Sequence, residues 1–194
     1  MPDEQQGRFF NLELDVDVPG RWYFHEPATL DGREVDDIWA FTEGTRIDPP
    51  GPLLLPIQRP GNPLDYTTAG VGSTPILSER AAKVFREWAP QDIQLFPVEV
   101  EGQAELYHLL VAARKVRCID DAACAEARYF SEDGGRPDRA GKYEVISGLR
   151  IDKSKVGDAR VFKLWGWSPA LIIAGEIKNA LQQIGFTGGR FEEV

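Results

Sequence analysis

Histidine and cysteine are scarce in this chain, with two of each among 194 residues. A histidine-based metal centre would need both His25 and His108, joined by carboxylates from distant segments. Each is expected to be a structural histidine. Cys118 and Cys124 are separated by five residues, which matches neither a zinc knuckle nor a redox pair. Asp120 and Asp121 stand beside them, and an acidic surround raises a thiol pKa. Both therefore read as free, unreactive thiols of a reducing compartment. Long apolar runs are missing too. The longest, Pro52–Ile57 and Pro169–Ala174, are far too short to span a bilayer. Met1–Gly7 has neither a basic patch nor an apolar segment of signal-peptide type. A cytoplasmic protein with no membrane partner is expected, frayed over residues 1–7.

Catalytic signatures are equally thin. No G-x-S-x-G elbow is present. Gly70–Val71–Gly72–Ser73–Thr74 superficially resembles a phosphate loop, but it has no lysine and Pro75 follows, so it reads as a flexible loop. Carboxylate pairs occur at Asp15/Asp17, Asp36/Asp37, Asp120/Asp121 and Glu132/Asp133. In a chain with 31 acidic residues, such pairs read as solvated faces. Basic residues do not cluster: Arg114–Lys115–Val116–Arg117 is offset by Asp120 and Asp121. A nucleic-acid partner is therefore not expected. The sequence predicts a protein that is not an enzyme, with no cofactor and no metal.

What the chain does have is negative charge, placed unevenly. Residues 1–105 hold 19 Asp and Glu against 8 Lys and Arg, a net of −11, while residues 106–194 hold 12 against 14, a net of +2. A field of this kind steers association with a basic partner. The densest acidic stretch is Asp31, Glu34, Asp36 and Asp37 around Arg33, bracketed by Trp22–Tyr23–Phe24 and by Trp39 and Phe41. It reads either as a protein-binding edge with aromatic anchors or as a solvated loop with core aromatics at its feet. Glu99, Glu101 and Glu105 form a second acidic edge. Trp165–Gly166–Trp167 is the most unusual local motif. It could be a stacking platform for a base or sugar, but two indoles buried either side of a tight turn is the favoured reading.

Periodicity supplies the elements. Arg8–Leu14 and Arg21–Phe24 read as strands, followed by a region rich in turn residues in which Leu53–Ile57 and Leu64–Thr68 are short strands. Ser78 is an N-cap for a helix with Ala81, Val84, Phe85 and Trp88 on one face, ended by Pro90. Ile93–Val100 and Ala104–Val111 flank a hairpin turn at Glu101–Gly102–Gln103. A second hairpin joins Ala127–Ser131 to Lys142–Ser147 through the loop Glu132–Gly141. Leu149–Ile151 continues as strand, and Asp152 caps a helical turn. A last helix spans about Ala174 to Ile184, with Gly185 as terminator, before an edge strand at Gly189–Glu193. Hairpins with two main helices, without βαβ alternation, predict a single α+β domain over residues 1–194 with an antiparallel sheet.

Several short segments, in order, carry a resemblance. They are the Phe10–Trp22 run with Val18–Pro19–Gly20; Phe41–Thr42–Glu43–Gly44; Arg59–Pro60–Gly61–Asn62–Pro63–Leu64–Asp65; and Ser78–Glu79–Arg80. Val98–Glu99–Val100–Glu101–Gly102, Cys118–Ile119–Asp120, Gly148–Leu149–Arg150–Ile151–Asp152 and Trp165–Gly166–Trp167 follow. Together they resemble the eleventh immunity-protein family of bacterial polymorphic toxin systems. They also resemble the immunity partners of type VI secretion effectors in myxobacteria. The resemblance implies an α+β protein that binds and neutralises a co-encoded toxin, often a nuclease, with no catalytic residues of its own. Its motifs look like fold-keeping elements. The toxin-contact candidates are therefore placed by charge and exposure: Asp31, Glu34, Asp36, Asp37, Trp39, Glu99, Glu101 and Glu105. Trp165 and Trp167 are taken as structural. The rival reading is a ligand-binding module or hydrolase that uses those two indoles.

Overall fold

The computed structural model describes residues 7–131 and 136–194. Strand β1 (Phe9–Leu14) buries Phe10 and Leu12 on one face and Phe9 on the other. After the Pro19–Gly20 break come β2 (Tyr23–Phe24) and β3 (Ala28–Thr29). A 3-10 turn at Ile38–Thr42 follows, where the Asp37 carboxylate accepts from the Trp39 amide at 3.0 Å. The strand expected at Leu53–Ile57 is divided at Pro56 into β4 (Leu53–Leu55) and β5 (Ile57–Arg59), because proline has no N–H to give a ladder. Next are β6 (Tyr66–Ala69) and β7 (Thr74–Ser78). The glycine-containing loop Gly70–Ser73 is the turn between these two strands, with Gly70 at φ +60°.

Helix α1 (Glu79–Trp88) starts where expected, with the Ser78 hydroxyl accepting from the Ala81 amide. β8 (Ile93–Val100) and β9 (Tyr107–Ala112) form the expected hairpin, though its second strand begins three residues later than predicted. β10 (Lys115–Val116), β11 (Glu126–Tyr129) and β12 (Tyr143–Ser147) follow. The start of the loop between β11 and β12, residues 132–135, lies outside the described residues, as do residues 1–6 of the segment expected to fray. Leu149–Ile151 makes only a single bridge, Ile151 to Ile119, and Asp152 caps a 3-10 turn at Lys153–Lys155. β13 (Val161–Leu164) and β14 (Trp167–Ala174) form a hairpin that periodicity did not reveal. Helix α2 (Gly175–Gln183) ends at Gly185, and β15 (Gly189–Glu193) is an edge strand.

Among the described residues these strands form a five-stranded sheet, β10-β13-β14-β1-β15, an eight-stranded sheet, β3-β4-β8-β9-β7-β6-β2-β5, and the β11–β12 hairpin. Most pairings are antiparallel; β4–β8, β2–β6 and β10–β13 are parallel. The class is α+β, as the sequence predicts. The central core lies between the two sheets, where Phe10, Leu171 and Ile173 meet Leu77, Leu110 and the apolar stripes of both helices. A second core under the far face of the larger sheet holds Trp22, Phe41, Leu55 and Tyr107. A third, outside the smaller sheet, holds Phe162, Ile172 and Cys118. Burial pushes the Cys118 thiol up to about 12, and both thiols are free.

Candidate functional site

The two acidic segments are linked through β3 and β4: Asp31–Asp37 follows β3, and Glu99 lies on β8. Glu34 bridges Ala28, Ala28 pairs with Leu54, and Leu54 pairs with Glu99. Residues opposite one another in a ladder point to the same face. Glu34 and Glu99 therefore share a face, with Ala28 and Leu54 between them. Beside this row is a shallow hollow of about 470 Å³, bordered by Leu54, Glu99, Glu105 and the half-exposed Leu106. All seven acidic candidates are exposed, but not all are available. Asp31 accepts from Thr29 Oγ1 and Arg33 Nε, which hold its carboxyl below the usual range. Asp37 caps the 3-10 turn, and Glu101 accepts from the Ile57 amide at 3.1 Å. Among the described residues, Glu34, Asp36, Glu99 and Glu105 have no ion-pair or hydrogen-bond partner through their carboxylates.

Trp39 belongs to a different place. It is 55% exposed on its 3-10 turn and lines a cleft of about 370 Å³ together with Trp165 and Trp167. The β13–β14 hairpin builds this cleft. Its register slips after Lys163, which faces Leu171, so that Leu164 faces Trp167. Ser168–Ala170 are surplus in the ladder, with Ser168 and Pro169 exposed and Ala170 buried, and the Ser168 carbonyl accepts from Lys163 Nζ at 2.9 Å. Trp165 and Gly166 make the turn, with Gly166 at φ +80°. The two indoles are half-buried, where the sequence reading had them buried. The Arg117 guanidinium lies over the Trp165 ring, 4.1 Å from its centroid. Phe130 and Tyr143 continue the wall. The Tyr143 ring stacks on Tyr129, and both hydroxyls donate to Asp121.

The same cleft is basic. Lys115, Arg139, Lys142 and Lys163 line it against Glu43 and Glu144. Both carboxylates are engaged, Glu43 by Lys115 at 2.9 Å and Glu144 by Arg128 at 3.0 Å. Lys163 is only 3% exposed, and burial lowers its pKa to about 8. Gly44 allows this: a Cβ there would stand 2.7 Å from the Lys163 Cβ, and its φ is +76°.

The sequence motifs meet in space two and three at a time. Asp65 accepts from Ser78 Oγ at 2.7 Å, from Arg80 and from the Thr187 amide at 2.9 Å. The Asn62 amide donates to the Gly20 carbonyl at 2.7 Å, and a Cβ on Gly61 would strike the Gly20–Trp22 backbone. Asp152 and Asp120 donate backbone N–H groups to the carbonyls of Cys118 and Arg150. Glu43 pairs with Lys115, and Gly44 packs closely against the Lys163 side chain. A sequence profile described as immunity protein family (Imm11) matches residues 19–194, nearly the whole chain. The chain belongs to the Imm11 immunity protein family. A search of curated proteins found no match.

For this Imm11 protein, membership gives an immunity role and a cognate toxin as the partner to expect. Among the described residues, no helix is long and apolar enough to cross a membrane, and no cluster of three or more metal-ligating side chains occurs. His108 is buried beside Glu79, with its pKa lowered by burial, while His25 is exposed. Sequence reasoning missed Lys163. A lysine between apolar neighbours in Val161–Phe162–Lys163–Leu164 is a usable signal of burial. Its cleft was not legible, because Trp39, Phe130 and Trp167 come from distant segments.

Proposed function

We propose that this Imm11 protein binds and neutralises a co-encoded toxin through the acidic face centred on Glu34 and Glu99. A toxin with a basic groove, such as a nuclease, is the partner that this charge fits. The reading is carried by one observation: the β3–β4–β8 ladder places carboxylates from both acidic segments on one face, with Leu54 and Leu106 beside them. Acidic groups around apolar side chains suit a steered contact with a desolvated centre. In this reading the protein acts by occupancy in the cytoplasm, without turnover, and nucleic acid is excluded by the same negative field.

The test uses co-expression with the product of the neighbouring gene, followed by size-exclusion chromatography and binding kinetics. Glu34→Lys with Glu99→Lys should slow association by roughly tenfold at low salt and leave the fold intact. The control is Glu87→Lys with Glu192→Lys, an equal charge change at exposed positions elsewhere. Glu193 is unsuitable for the control because Arg8 pairs with it. Equal effects from the two pairs would remove this face as the contact site.

A further inference from the structure

We propose that the aromatic and basic cleft beside the β13–β14 hairpin is a binding site for a small phosphorylated ligand with a planar ring, of the mononucleotide class. The inference does not depend on the toxin-facing role of the acidic face.

Lys163 carries the argument. Its ammonium has three donors, and the Ser168 carbonyl takes one. The side chain is 3% exposed, and among the described residues no carboxylate lies within ion-pair distance of it. A buried charge left in this state is costly, and an anion entering the cleft removes that cost by accepting the two remaining donors. Arg139 and Lys142 line the same cleft and reinforce its sign. This local excess of positive charge occurs in a chain whose net charge is −9, so the cleft opposes the field of the molecule. That surrounding field disfavours a polynucleotide and leaves room for a small anion.

The walls specify the rest of the ligand. Trp39 presents an exposed indole, and Trp167 a half-buried one. Flat rings of this kind bind other flat rings by stacking. A cleft of about 370 Å³ is within the range of sites for small ligands. Inorganic phosphate would leave the indoles unused, and a neutral ring would leave Lys163 unpaired. A nucleoside monophosphate satisfies both.

The experiment titrates AMP into the purified protein and follows the indole N–H signals of its five tryptophans by NMR, assigned with single Trp→Phe variants. Saturable shifts are expected at Trp39 and Trp167, with Trp22 and Trp88 unmoved. Adenosine and inorganic phosphate, each with half of the chemistry, should bind at least about tenfold more weakly. Lys163→Met should fold at least as stably, since an apolar chain replaces an unpaired buried charge, and should weaken AMP binding by about tenfold or more. The proposal is overturned by the absence of saturable shifts at millimolar AMP, by shifts spread over all five indoles, or by unchanged AMP affinity in a folded Lys163→Met protein. If that variant does not fold, Trp39→Ala decides, because its side chain is exposed: weaker AMP binding supports the site and unchanged binding overturns it.

Discussion

The carboxylate of Asp65 is buried, and burial by itself pushes its pKa up. Hydrogen bonds from Arg80, Ser78 and Thr187 outweigh that effect and hold it below the usual carboxylate range. One side chain thereby ties the segment before β6 to the start of α1 and to the turn after α2. Arg80 is half-exposed, so solvent screens its share of the attraction. Asp65→Asn should cost roughly 2–3 kcal/mol at neutral pH, read from chemical denaturation. The folded-state pKa lies below the unfolded value of about 3.9, so the unfolded chain binds the proton more readily. The contribution is present above pH ~4 and is lost as pH falls through the folded value. The stability gap between the parent and Asp65→Asn should therefore narrow below pH ~4. A gap that stays constant down to acid unfolding would show that Asp65 acts by shape alone.

The β13–β14 hairpin is the element that turns sequence-distant aromatics into a cleft. Its turn depends on Gly166, whose φ of +80° is strained for any residue with a Cβ. A Cβ there would also sit 3.2 Å from the Tyr143 ring, so the turn and the β11–β12 hairpin are fitted to each other. Gly166→Ala should destabilise the protein by about 1–2 kcal/mol, seen as a lower melting temperature. The perturbation should also move the Tyr143 ring signals in NMR spectra, because the new methyl group meets that ring. Unmoved Tyr143 signals would place the turn elsewhere. Ser78 offers the contrasting case. It caps α1 through its hydroxyl, but that same hydroxyl donates to Asp65. Ser78→Ala should then cost about 1–2 kcal/mol, at the upper end for a cap.

The whole molecule presents an acidic field with a basic cleft cut into it. Long-range steering depends on that field and is screened over about 10 Å at 0.1 M salt. Association with a basic toxin should slow by roughly tenfold or more when salt is raised from about 0.05 to 0.5 M. Stopped-flow binding would measure this, and dissociation should change much less. An association rate indifferent to salt would mean that the net charge of −9 does not serve partner capture. The −11 to +2 division between the halves of the chain is a matter of sequence only. In the fold, strands from both halves pack around one central core, so surface patches set the field and chain halves do not.

Much of this architecture was written locally. The Ser78 cap and Pro90 fix α1, Gly102 at φ +71° closes the β8–β9 hairpin, and the Ile177–Leu181 stripe with Gly185 defines α2. The order of short motifs was enough for the family. Each of these signals depends on neighbours within a few residues, where spacing translates directly into geometry. β7 was hidden because Thr74–Leu77 is buried throughout, leaving no alternation to read. The β13–β14 hairpin was hidden by its bulge, which breaks the period of two just where the indoles stand. Sequence alone named Glu34, Glu99, Trp39 and Trp167 as residues worth attention. Tertiary structure decided which of them share a face, because register across β3, β4 and β8 and the burial of Lys163 arise from chain segments that meet only in the fold.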